Sequence, residues 1–275
     1  MNDSPHISDT HDAPQSRASE GNWFAAIRAV TAFQLNRLMT RPRLAMGLVG
    51  ALFPAAVMFA VIRTAPISRD MTIAMIYALI PEALCVLGLL VTMCPVVADE
   101  LERGTWIHVT VRPGGRQSIL LGTFAAAVIW TGGVSLVALM LTLLIAQPTQ
   151  PIGLVVMFTI LIGISCVGRA ALFSLPAVIL PKRALIASVG VALVVEYFAG
   201  FIPAVVNQVT VSLRLRSLLV EWMEWRKDLP IEMTLFIDEY PAPVQIVAVC
   251  ILVFILLATA TFILNRRQFP PSVEN

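Results

Sequence analysis

The chain has 275 residues, 58% of them hydrophobic and 13% charged, whereas a domain that folds in water carries roughly a quarter charged residues. Its net charge is +2 and its basic residues are scattered at the ends of apolar runs, which excludes a nucleic-acid-binding face. The apolar runs are far longer than the roughly ten-residue alternating segments of an outer-membrane barrel. Because a helix satisfies its own backbone in lipid, the predicted fold class is an all-α integral membrane protein.

Residues 1–20 are polar, acidic and poor in aliphatic side chains. They predict a disordered, solvated cytoplasmic tail and carry neither a signal-peptide nor a transit-peptide pattern. Trp23 to Met39 puts Trp23, Ile27, Val30 and Leu38 on one side at helical spacing, with Arg28 and Asn36 elsewhere on the wheel, so an interfacial helix lying on the membrane is expected there. Six spans follow within a transmembrane domain over residues 21–275, at about 44–62, 74–97, 119–146, 152–180, 184–205 and 244–264. With the N-terminus inside, twelve lysines and arginines fall on the inner side and six on the outer. That bias predicts a plasma or inner-membrane protein with both termini in the cytoplasm.

The last outer loop, about 206–243, is amphipathic. Val211, Leu215, Leu218, Trp222 and Trp225 draw one apolar stripe, with Arg214, Arg216, Glu221 and Glu224 off it. A helix resting in the outer interface and a packed surface helix both fit this pattern.

A charged connector, VADELERGTWIHVTVRPGGR, Val97 to Arg116, joins spans two and three. Gly104 is a natural helix stop, Thr105 an N-cap, Trp106 to Val111 a short second helix, and Arg112-Pro113-Gly114-Gly115 the turn that ends it. The connector therefore predicts a short helix held near the cytoplasmic surface, where a soluble partner can touch it.

At these residues the sequence resembles the ABC-2 family of transporter permeases. The residues that carry the resemblance are Glu100, Glu102, Arg103, Gly104, Thr105, Arg112, Pro113 and Arg116, leading into Ile119-Leu120-Leu121-Gly122. The likeness extends to a basic interfacial helix before span one, Pro181-Lys182-Arg183 before span five, and the passage Thr210-Val211-Ser212-Leu213-Arg214-Leu215-Arg216-Ser217-Leu218. Thr123 departs from it, standing where many members place Lys. The resemblance implies a permease subunit, with the connector as a coupling helix in which Trp106 also takes part. It implies ABC ATPase subunits that bind ATP and Mg, and a second permease half, either an identical or a related chain. The chain's lysines are Lys182 and Lys227, neither in GxxxxGK[ST], so no phosphate cradle of its own is expected. Neither catalytic residues nor a cofactor is expected in this chain. Export is the expected direction. A proton-coupled secondary carrier and a membrane scaffold or maturation factor are the alternatives.

Charges within spans are costly in lipid and therefore informative. Glu82 falls in the outer third of predicted span two, Arg169 near the middle of span four and Glu196 near the middle of span five. Arg169 and Glu196 are expected to form an ion pair that fixes helix register, with a substrate or proton-path role as the other reading. Pro203 could break span five into a re-entrant segment. Cys85, Cys94, Cys166 and Cys250 all lie in apolar runs, so no disulfide framework follows. Met93-Cys94 carries soft donor atoms but reads as core filler, and no metal site is expected.

Overall fold

In the computed structural model, which describes residues 23–64, 67–95, 98, 114–148, 150–198, 210–225 and 240–267, every regular element among the described residues is helical. The spine is the helix Gly115–Ala146. At 1.5 Å per residue it is about 48 Å long, well over the roughly 30 Å of a hydrocarbon core. Two helices share its length. α1, Trp23–Leu38, lies along its first part, and α2, Arg41–Thr64, along the remainder. Of the predicted stripe of α1, Leu38 is buried and Ile27 and Val30 are half-buried, while Trp23 is exposed, as are Phe24 and Phe33.

Next in chain order are α3, Arg69–Tyr77, a π-helical turn over Ala78–Leu84, and α4, Cys85–Met93, which together form one rod. Ser68 caps α3, its hydroxyl accepting from the Met71 amide at 3.2 Å, so this rod starts five residues earlier than the sequence suggested. The spine is α5. After it come α6, Pro151–Ile179, α7, Ala184–Val191, a second π-helical turn over Ala192–Phe198, α8, Val211–Trp222, and α9, Ala242–Arg266.

Among the described residues five helices are long and apolar enough to cross a membrane: Arg41–Thr64, Arg69–Met93, Gly115–Ala146, Pro151–Ile179 and Ala242–Arg266. Their outward faces carry apolar side chains such as Leu48, Phe53, Ile251, Phe254 and Phe262, the surface that lipid requires and water opposes. This is a multi-pass membrane protein. The expected fifth span, 184–205, is described as α7 and its π-helical turn up to Phe198; Pro203 and the rest of 199–209 lie outside the described residues.

Of the two readings left open for the amphipathic stretch, burial favours a helix packed against the bundle over one resting in the interface. Val211, Ser212, Leu213, Leu215, Ser217, Leu218, Leu219 and Val220 of α8 are all buried, against α6 and α9. The apolar stripe is real, but it is only one side of a helix that is enclosed. The reason is at its N-terminus, where Glu196 receives its first amides, as described below.

Helix ends are sewn to neighbouring helices. Arg116, in the first turn of α5, donates to the carbonyls of Leu264, Asn265 and Arg267 at 3.4, 3.1 and 3.3 Å. Arg267 in turn donates to the carbonyls of Val178 and Ile179 at the end of α6. Cations at the unpaired carbonyls of a helix C-terminus are favourable by both hydrogen bonding and dipole. At the opposite end the Trp225 indole donates to Asp70 at 3.0 Å, and Glu221 accepts from the Ala242 amide at 2.9 Å.

Glycines set the closeness of α1 to α5. A Cβ on Gly122 would stand 2.6 Å from Val30 Cγ1 and 3.2 Å from the Ile27 carbonyl oxygen, whereas one on Gly132 would meet nothing within 4 Å. Gly122→Leu is therefore expected to lift α1 from α5 and cost about 1–3 kcal/mol. Gly132→Ala should be neutral or slightly stabilising, because it removes only backbone freedom. Thermal unfolding in detergent distinguishes the two.

Candidate functional site

Arg169 is fully buried on α6, and the bundle is arranged to answer its charge. Its Nη2 donates to Glu82 Oε2 and, at 2.9 Å, to Ser212 Oγ. Its Nη1 donates to the Pro81 carbonyl and, at 2.5 Å, to Ser165 Oγ. Nε stands 3.5 Å from Glu196 Oε2, an electrostatic contact without an aligned hydrogen bond. Thus the predicted Arg169–Glu196 pair is present, and the closer acid is Glu82. Glu82 lies at mid-length of the rod Arg69–Met93, not in its outer third, because the rod starts at Arg69.

Both acids sit in π-helical turns, a geometry that recurs where a helix is shaped for a purpose. In the first turn the Cys85 amide bonds to the Ile80 carbonyl, one residue beyond the α-helical partner. The neighbouring Pro81 carbonyl accepts from Arg169 and, at 2.7 Å, from Ser165 Oγ. The same turn brings Tyr77 and Glu82 together, the phenol donating to Oε1 at 2.6 Å.

Glu196 serves a second purpose. Its carboxylate accepts from the Val211 amide at 3.2 Å and from the Ser212 amide at 3.0 Å. These belong to the first turn of α8, whose N-cap Thr210 accepts from the Leu213 amide at 3.3 Å. A helix N-terminus presents unpaired N–H groups and a partial positive charge, so a carboxylate is its natural occupant. The Ser212 hydroxyl has one proton. Its 2.5 Å approach to Glu196 Oε2 takes that proton, with Glu82 Oε2 at 3.2 Å the alternative acceptor.

The cluster lies at the seam between two apolar cores. Met58, Ile73, Ile76, Leu139, Phe158, Leu161 and Leu215 pack on one side, and Leu89, Met93, Leu120, Phe173, Ala177 and Leu264 on the other. Two carboxylates and one guanidinium sum to one negative charge, offset by the α8 N-terminus and by Arg216, which is close enough to act on Glu82. Every carboxylate oxygen of Glu82 and Glu196 faces a donor. Such an arrangement fixes the relative position of three helices; a guanidinium held this way is a clamp, not an acid or a base.

Among the other expected site residues, Arg116 is described and holds the end of α9. Glu100, Glu102, Arg103, Gly104, Thr105, Trp106, Arg112 and Pro113 lie outside the described residues. Cys94 is buried in the core. Tyr77, Ser165 and Ser212 were not singled out from sequence. Ser212, two residues after a threonine suited to an N-cap, carried a usable signal: the start of a helix is where an internal acid finds amide donors. No family model matches the sequence, and no curated protein matches it.

Removing the arginine leaves two facing carboxylates in the interior, the costly half of a broken ion pair. Arg169→Met is expected to lose about 3–5 kcal/mol of stability. Adding Glu82→Gln and Glu196→Gln to it should restore part of that loss. Unfolding in detergent micelles measures both, and an Arg169→Met protein as stable as the parent would mean that the ion pairs do not hold the bundle.

Proposed function

We propose that this chain is the permease subunit of an ATP-driven transporter of the ABC-2 kind, moving cargo through a pathway built with a second permease half. The observation that carries the reading is the connector Val97 to Arg116, whose sequence resembles the coupling segment of that family. In the chain it stands between α4 and α5. Supporting it are the five membrane-crossing helices and the α7–α8 pair, read here as the sixth crossing made in two pieces. The excess of lysine and arginine on one side of the expected spans supports the reading in which both termini and the connector face the cytoplasm at a plasma or inner membrane.

ATP binding in the partner closes its two nucleotide-binding subunits and presses on Trp106 to Val111. The force passes to α4, and through Glu82 and Arg169 to α6 and α8, so these helices tilt as one piece. Cargo held between the two permease halves is then released outward. Glu100 and Glu102 orient the docking helix and perform no chemistry.

Affinity purification in mild detergent is expected to bring down a nucleotide-binding ATPase, and Glu100→Lys with Glu102→Lys to weaken its retention at least about tenfold, the loss of a few charge-assisted contacts. Vesicle transport should stop on ATP depletion. Transport abolished by a protonophore but indifferent to ATP depletion would instead identify a secondary carrier, and ATPase turnover with no cargo movement would identify a scaffold.

A further inference from the structure

Cys85 and Cys166 belong to the same helices as the Arg169 cluster and lie beside it. Their sulfurs are 3.6 Å apart, the Cys166 thiol directed at Cys85, across 81 positions of chain. Cys85 Sγ is also 3.3 Å from Ser135 Oγ on α5. Both residues are fully buried and both thiols are free. The contact is not incidental to packing. Ser165 and Arg169, on either side of Cys166 in sequence, both bond to the Pro81–Glu82 pair on the facing rod. These bonds deny α6 any slide along that rod, so Cys166 is held opposite Cys85.

Two convergent thiols could take a thiophilic cation or become a disulfide. A monovalent cation between two thiolates leaves one negative charge, with no donor of the cluster left to answer it. Unpaired charge in an apolar interior is strongly unfavourable. A disulfide is neutral and needs the sulfurs to close from 3.6 Å to about 2.05 Å. A small, neutral oxidant that dissolves across the bilayer is required, because nothing larger reaches the pair.

We propose that Cys85 and Cys166 form a redox modification site whose oxidant is a small hydroperoxide. One thiol sulfur attacks a peroxide oxygen and the O–O bond breaks, giving a sulfenic acid and, with hydrogen peroxide, one water. The second sulfur attacks the first, the S–O bond breaks, and a second water leaves with the remaining thiol proton. The two sulfurs are oxidised by two electrons in all, and one peroxide is reduced. The bond joins α4 to α6 next to Glu82 and Arg169, so the two helices cannot part. A dithiol reverses it. The assignment does not depend on the transport reading.

The test uses the full chain in native membranes, treated with hydrogen peroxide, denatured, alkylated and analysed by mass spectrometry. Two of the four thiols are expected to escape alkylation, and the digest to contain the Cys85 and Cys166 peptides joined. Cys85→Ser and Cys166→Ser should each abolish the joined peptides. In detergent the oxidised protein should unfold at least about 5 °C higher than the reduced one, the shift disappearing with dithiothreitol and absent in both variants. Four alkylatable thiols after treatment overturn the proposal. So does a cross-link that joins any other pair, or an oxidised protein with an unchanged unfolding midpoint.

Discussion

A guanidinium that cannot reach water must find its opposite charges inside the protein, and Arg169 imposes that demand on three other pieces of chain. The rod carrying Glu82 must approach within hydrogen-bond reach, the turn carrying Glu196 must stop at the same depth, and α8 must bring Ser212 between them. Burial makes each partner indispensable, since a group left unpaired in low dielectric costs several times what a paired one contributes. The two apolar cores fill the volume on either side, but oil-like packing has no preferred register. The directional contacts at their seam supply it.

The same logic, applied to backbone, explains how the helix ends are treated. In lipid an unmet N–H or C=O has no water to turn to. Glu196 answers the amides that open α8 and Glu221 the amide that opens α9. Arg116 answers the carbonyls that close α9, and Arg267 those that close α6. Acids stand at N-termini and bases at C-termini, as the helix dipole favours, and each comes from a different element. Capping here is therefore tertiary structure: removing one of these side chains loosens the join between two helices as well as the end of one.

Much of this was legible in the sequence. Hydropathy located the rods to within a few residues, since the length of an apolar run is set by the bilayer. The cost of charge in lipid singled out Glu82, Arg169 and Glu196 and paired Arg169 with Glu196, but it did not show that Glu82 would be the nearer acid. What could not be read was the depth of α8. Its stripe of Val211, Leu215, Leu218 and Trp222 is what an interfacial helix would show, and among the buried positions off the stripe Ser212, Arg214 and Ser217 are polar enough to suit water. Burial of that face follows from Glu196 seizing the first turn, a contact between residues on separate elements that no periodicity encodes. The π-helical turns were equally hidden, because Pro81 in an apolar run announces a kink without saying which hydrogen bonds will be lengthened.

These two kinds of contact divide the bundle mechanically. The rod Arg69–Met93, α6 and α8 are joined by short, directional, charged bonds that break before they stretch. By contrast α2 meets α5 and the rod through Gly47 against Trp130 and Val134, and Gly50 against Leu84. Contacts between small residues and apolar side chains depend on closeness alone, and one helix can shift over another at little cost so long as the surfaces remain in touch. A force delivered near the end of α4 would therefore move the first group as a body and be taken up as sliding at the second. The clamp at Arg169 supplies directional bonds to the first group that the contact of α2 with α5 lacks.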